Sequence, residues 1–82
     1  MTPNEVSRLV LDAAMKVHTA LGAGLLEEAY KVCLEYELQK QKLLVLSEVA
    51  LPVVYDSVSI DIGFRIDLLV EKSLIVELKS VQ

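Results

Sequence analysis

Residues 58–70 run Val-Ser-Ile-Asp-Ile-Gly-Phe-Arg-Ile-Asp-Leu-Leu-Val, apolar side chains alternating with polar or small ones almost throughout. Only an extended strand repeats every second residue, so this stretch commits the chain to a sheet. Ile60, Ile62, Phe64, Ile66, Leu68 and Val70 line one face, and Asp61, Gly63, Arg65, Asp67 and Leu69 line the other. The apolar face must pack on something. The other carries charge at Asp61, Arg65 and Asp67.

The cover for that face comes from upstream. Thr2-Pro3-Asn4-Glu5 spells a capping box, with a hydroxyl at the N-cap, proline at the first helical position and glutamate at the third. Val6, Leu9, Val10, Ala13, Ala14, Val17 and Leu21 then recur at three- and four-residue spacing, one apolar stripe on a helix that Gly22-Ala23-Gly24 stops. A second helix is predicted from about Leu25 to Gln41, with Glu28, Lys31, Glu35, Gln39 and Lys42 as its solvent stripe. Leu26, Tyr30, Cys33 and Leu34 fall on or near the opposite side, and two glutamates lie off the stripe, Glu27 on the flank and Glu37 toward the core face.

From Ser47 to Tyr55 the texture turns β-branched, with Val49, Leu51, Val53 and Tyr55 on one face and Pro52 marking an edge strand. Asp56-Ser57 turns into the long strand, and Glu71-Lys72-Ser73 turns out of it into a third, Leu74 to Lys79. The predicted class is α/β in the α+β sense: two N-terminal helices followed by a three-stranded, mainly antiparallel sheet. The length of 82 residues holds one domain, 1–82.

Hydrophobic types make up 54% of the chain. A domain this small buries only roughly 60% of its unfolded surface, so self-association or a missing piece of the same fold is expected. The net charge of −4 is no footprint for non-specific nucleic-acid binding but suits a carboxylate metal site. Cys33 is the lone cysteine, which excludes an internal disulfide and fits a reducing cytoplasm. No signal peptide or membrane span is legible.

A three-residue turn at 71–73 pairs Val70 with Leu74 and sets Asp67 opposite Glu77 on the same face, Cβ atoms roughly 5 Å apart. Arg65 would then face Lys79. A two-residue turn would put the two carboxylates on opposite faces. Two carboxylates that close repel, and a divalent cation resolves the repulsion; oxygen ligands plus water suit Mg²⁺ or Mn²⁺. Lys79 would reach the same pocket, to orient a water or neutralise a phosphate. By spacing alone Asp67, Glu77 and Lys79 also read as a strand-surface salt-bridge ladder. Glu27 also reads as a first-turn glutamate on the helix dipole. Glu37 reads as a structural partner for a buried Arg or Lys, Arg65 as a partner for either carboxylate set, His18 as a locally satisfied helix-end residue and Asp61 as a pairing or solvent residue.

Asp67 followed by Glu77-Leu78-Lys79 resembles the signature of the PD-(D/E)XK nuclease superfamily. Gly24-Leu25-Leu26-Glu27-Glu28-Ala29-Tyr30 resembles the Gly-x-x-Glu-x-x-Tyr pattern of the GxxExxY protein family within it. His18, Glu37-Leu38, Leu51-Pro52-Val53 and residues 61–70 extend the likeness over about Val6 to Val81. The resemblance implies an incomplete restriction-endonuclease-like core in a C-terminally shortened member, with Ala23 where the family usually has proline. It implies Asp67 and Glu77 as metal ligands, Glu27 as an auxiliary ligand, Lys79 as the catalytic cation and Tyr30 supporting Glu27 or touching substrate. Arg65 is the candidate substrate-binding residue. The expected activity is metal-dependent hydrolysis of phosphodiester bonds in DNA or RNA by a cytoplasmic homo-oligomer. The alternative is a catalytically inactive nuclease-like module acting through oligomerisation or protein interaction.

Overall fold

The computed structural model describes residues 1–79. Helix α1 spans Pro3–Leu21, and its capping box forms as the sequence requires. Thr2 Oγ1 accepts the Glu5 N–H at 3.2 Å and Glu5 Oε1 accepts the Thr2 N–H at 3.3 Å, so each satisfies an otherwise orphaned end of the helix. Val6, Val10, Ala13 and Val17 are buried. Gly22 ends the helix at φ +74°, and its N–H donates to the His18 carbonyl at 2.8 Å.

Helix α2 spans Glu27–Lys40, beginning two residues later than the periodicity predicts. Leu26, the residue at its N-cap, brings no side-chain cap. Tyr30 secures the entry instead. Its hydroxyl donates to the Gly22 carbonyl and accepts the Leu25 N–H at 3.2 Å, pinning the glycine turn from one helical turn inside α2. The expectation that Glu37 has a basic structural partner is met by Lys16 of α1 at 3.1 Å and Lys40 at 3.5 Å; Lys16 is exposed rather than buried.

Strands β1 (Val45–Tyr55), β2 (Val58–Val70) and β3 (Leu74–Val76) form one antiparallel sheet in the order β1-β2-β3. Pro52 therefore lies on an edge strand, as its missing N–H demands. The β1–β2 register shifts between Ala50 and Pro52: Ala50 pairs with Arg65, Pro52 with Asp61. Two extra residues of β2 are absorbed around Gly63, whose φ of +80° is a geometry side chains disfavour. The core joins Val6, Val10 and Ala13 of α1 with Leu34 and Leu38 of α2 and Val45, Leu68 and Val70 of the sheet.

Four expectations are corrected. Lys31, placed on the solvent stripe, is buried at 7% exposure, because Glu28 and Glu48 converge on its ammonium. The apolar face of β2 is covered only at Ile66, Leu68 and Val70, while Ile60, Ile62 and Phe64 are exposed. Helices α1 and α2 are about 28 and 21 Å long and the hairpin, along the 11 residues of β1, about 36 Å, so the helices do not reach its far end. Strand β3 stops at Val76, leaving Glu77, Leu78 and Lys79 outside the ladder. Arg65 does not face Lys79 but binds Asp61 with both guanidinium nitrogens at 3.0 Å.

Candidate metal and phosphate site

The β2–β3 turn is the first determinant of the site. Glu71-Lys72-Ser73 closes it in three residues, with Glu71 and Lys72 at positive φ and the Ser73 N–H on the Val70 carbonyl at 3.0 Å. Val70 pairs with Leu74, Leu69 with Ile75 and Leu68 with Val76. The next position in that register brings Asp67 to Glu77. There the backbone ladder gives way to carboxylates: Asp67 Oδ2 accepts the Leu78 N–H at 2.8 Å, and Glu77 Oε1 accepts the Asp67 N–H at 3.4 Å. Side chains take over amides that a longer strand would have paired, which is why β3 is short.

The second determinant lies across β2. Ser47 pairs with Leu68 and Val49 with Ile66, so Glu48 stands level with Asp67. Glu48 adopts φ +54°, uncommon for a side-chain-bearing residue and costly unless neighbours hold it there. The neighbour is Lys31, which donates to Glu48 Oε1 and stands 3.1 Å from Glu28 Oε2. These hydrogen bonds, chiefly that to Glu48, push the Lys31 pKa up. A row of acids thus crosses the sheet at Glu48, Asp67 and Glu77, with an ammonium from α2 at one end. Neither Glu48 nor Lys31 was a site candidate by sequence. The only signal was Gly63: a simple hairpin from the 56–57 turn would set Glu48 opposite Arg65, and the bulge moves it to Asp67.

Two hollows meet here. A cleft of about 730 Å³ is lined on one side by His18, Gly24, Leu26 and Tyr30 and on the other by Leu78 and Lys79. A smaller one of about 230 Å³ is lined by Glu27, Glu28, Lys31, Glu48, Asp67 and Leu78. Glu27 and Leu78 border both. Asp67 therefore shares a hollow with Glu27 and Lys31, while Lys79 lies in the adjoining cleft. Tyr30 borders that cleft but spends its hydroxyl on the Gly22–Leu25 turn. Arg65 is engaged by Asp61, whose carboxyl that guanidinium holds below its ordinary range, with the Gly63 N–H adding to the effect at 2.9 Å.

Asp67 and Glu77 each engage one carboxylate oxygen with main chain, and among the described residues the other takes no hydrogen bond, which suits it to a cation. Among the described residues no three His, Cys, Asp or Glu side chains gather closely enough to form a metal cluster. Two adjacent carboxylates, with water and phosphate oxygens completing the shell, nonetheless fit a Mg²⁺-type ion, which seldom takes an all-protein cage. Among the described residues, no helix is long and apolar enough to cross a membrane.

No curated protein and no solved structure matches the chain significantly. A family sequence model matches residues 4–82, nearly the whole chain, and with the helix-to-hairpin fold and the Asp67…Glu77-x-Lys79 arrangement it identifies the chain as a member of the PD-(D/E)XK nuclease superfamily.

Proposed function

We propose that this chain is a metal-dependent nuclease domain that hydrolyses phosphodiester bonds in DNA or RNA, with Mg²⁺ or Mn²⁺ held by Asp67 and Glu77. The observation that carries this reading is the β2–β3 register, which brings Glu77 to Asp67, a residue that lines the smaller hollow with Glu27. When bound, the ion would supply positive charge to the scissile phosphate and acidify a water.

The protein's own groups divide the remaining work. Asp67 and Glu77 orient their free oxygens because main-chain amides fix the other ones. Lys79, exposed on the cleft wall, places an ammonium beside the phosphate, where developing charge needs a donor. Glu27 joins as an auxiliary carboxylate from the first turn of α2, and Tyr30 sets its approach by fixing the glycine turn. Gly24, Glu27 and Tyr30 in this arrangement support placement in the GxxExxY branch. Arg65 contacts substrate only by exchanging Asp61 for a phosphate.

The test is cleavage of labelled single- and double-stranded DNA and RNA with Mg²⁺ or Mn²⁺. Wild type is expected to cut at least one, and Asp67→Ala, Glu77→Ala and Lys79→Ala to lose the activity. Cutting that survives both carboxylate substitutions contradicts the assignment.

A further inference from the structure

The free end of the β1–β2 hairpin carries an apolar face that the other described residues leave exposed. Val53 pairs with Ile60 and Tyr55 with Val58, so these four side chains share one side, and Ile62 and Phe64 lie beside them in the stretch of β2 that the register shift leaves unpaired. All six are exposed, from 45% at Val53 and Ile60 to 72% at Tyr55. The opposite side of the hairpin carries Ser59 against Val54 and Asp61 against Pro52. Farther down β2 the same apolar face is core, at Ile66, Leu68 and Val70. The hairpin thus extends a core-type surface past the reach of the helices. The extents of 46 × 33 × 17 Å and a radius of gyration of 14.2 Å record the overhang. A compact chain of this length would have about 12 Å.

We propose that a second copy of this chain covers that face, two hairpins packing face to face about a two-fold axis. The size fits. Together with Leu51, Ile62 and Phe64 at the register shift, the paired four give this end of the hairpin on the order of 700 Å² of exposed apolar surface, beyond the roughly 300–600 Å² of a typical monomer's largest patch and near the ~800 Å² per partner of a stable interface. The electrostatics fit as well. The face bears no ionisable side chain except the Tyr55 phenol, so it offers nothing to a charged ligand, and two molecules of net charge −4 meet where neither carries charge. A self-complementary partner supplies an equal apolar patch, as a two-fold contact requires. Pro52 and the register shift disrupt the outer edge of β1, which disfavours edge-to-edge pairing and leaves stacking of the faces about 10 Å apart.

Sedimentation equilibrium of the 82-residue chain from about 1 to about 100 µM, with melting temperature followed over the same range, tests this. Wild type is expected to weigh twice its 9.1 kDa at the upper end, with a melting temperature that rises with concentration. Ile60→Lys should give a monomer, and Ser59→Lys, on the other side of the same strand, should remain dimeric. Val58→Thr adds no charge and should raise the dimer dissociation constant several-fold, so the inference stays testable if Ile60→Lys does not fold. A folded wild type that stays monomeric throughout overturns it and leaves the face to a different protein or a lipid surface. Equal dissociation by Ser59→Lys and Ile60→Lys overturns it too.

Discussion

Asp67 and Glu77 are tied to one another's strands through the main chain: Glu77 accepts the Asp67 amide at 3.4 Å, and Asp67 accepts the amide of Leu78 at 2.8 Å. The candidate metal ligands therefore double as the fasteners of the β2–β3 hairpin end. Asp67→Ala should cost about 1–3 kcal/mol by leaving a part-buried amide unpaired, and it should abolish divalent-ion binding. Asp67→Asn keeps an acceptor for Leu78, so it should recover most of the stability and little of the metal binding. Urea unfolding run beside a Mn²⁺ titration separates the two.

Tyr30 holds the Gly22–Leu25 turn with both capacities of its hydroxyl. Tyr30→Phe keeps the ring and deletes the bridge. Stability should fall by about 1 kcal/mol, the usual net worth of a hydrogen bond, with amide exchange quickening at Leu25 and in the first turn of α2. Exchange left unchanged at Leu25 would show that the hydroxyl does not hold the turn.

Lys31 is the buried cation of the acidic row, and Glu48 is its principal partner. Its pKa is raised, so the stabilisation is fully present below the ordinary lysine value and is lost only as pH climbs through the still higher folded value. No loss from Lys31 should therefore be seen across the neutral range. Lys31→Ala should lower the melting temperature more than Glu28→Ala, since it strands two carboxylates. A double-mutant cycle should find stronger coupling for Lys31–Glu48 than for Lys31–Glu28.

Acid acts through other pairs. Lys16, with a smaller contribution from Lys40, holds the Glu37 carboxyl below its ordinary range, and Arg65 does the same to Asp61. Depressed carboxylates stabilise the fold above their unfolded values, and that contribution drains away as pH falls through the lowered ones. The melting temperature should decline on acidification below the ordinary carboxylate range. Glu37→Gln and Asp61→Asn should flatten that decline while lowering the neutral-pH plateau.

Gly63 sits at φ +80° with open space where a Cβ would go, so Gly63→Ala is a test of backbone alone. The left-handed geometry should cost about 1–2 kcal/mol. If the bulge relaxes instead, Glu48 slides away from Asp67, and chemical shifts of Lys31 and Asp67 will move together.

Much of this architecture is legible in the sequence because local rules and global packing agree. The capping box and apolar stripe of α1 are self-contained, and the period-two pattern of 58–70 matches the bounds of β2. The three-residue turn at 71–73 sufficed to place Asp67 beside Glu77. Lys31 was misjudged because helical periodicity reports angle about the helix axis, not the acids an adjoining strand brings up. Glu48 was missed because a two-residue bulge at Gly63 reset the register between a turn and a pair far from it. The exposed hairpin face follows from a mismatch of lengths between strand and helices, which alternation does not reveal.

The proposed metal site rests on one pair of carboxylates, Asp67 and Glu77, and Mn²⁺ binding followed by electron paramagnetic resonance tests it most directly. Wild type is predicted to bind Mn²⁺, with the signal lost in Asp67→Ala and in Glu77→Ala and only weakened in Glu27→Ala. Mn²⁺ binding that is absent from folded wild type, or that persists unchanged when Asp67 and Glu77 are both replaced, would contradict it.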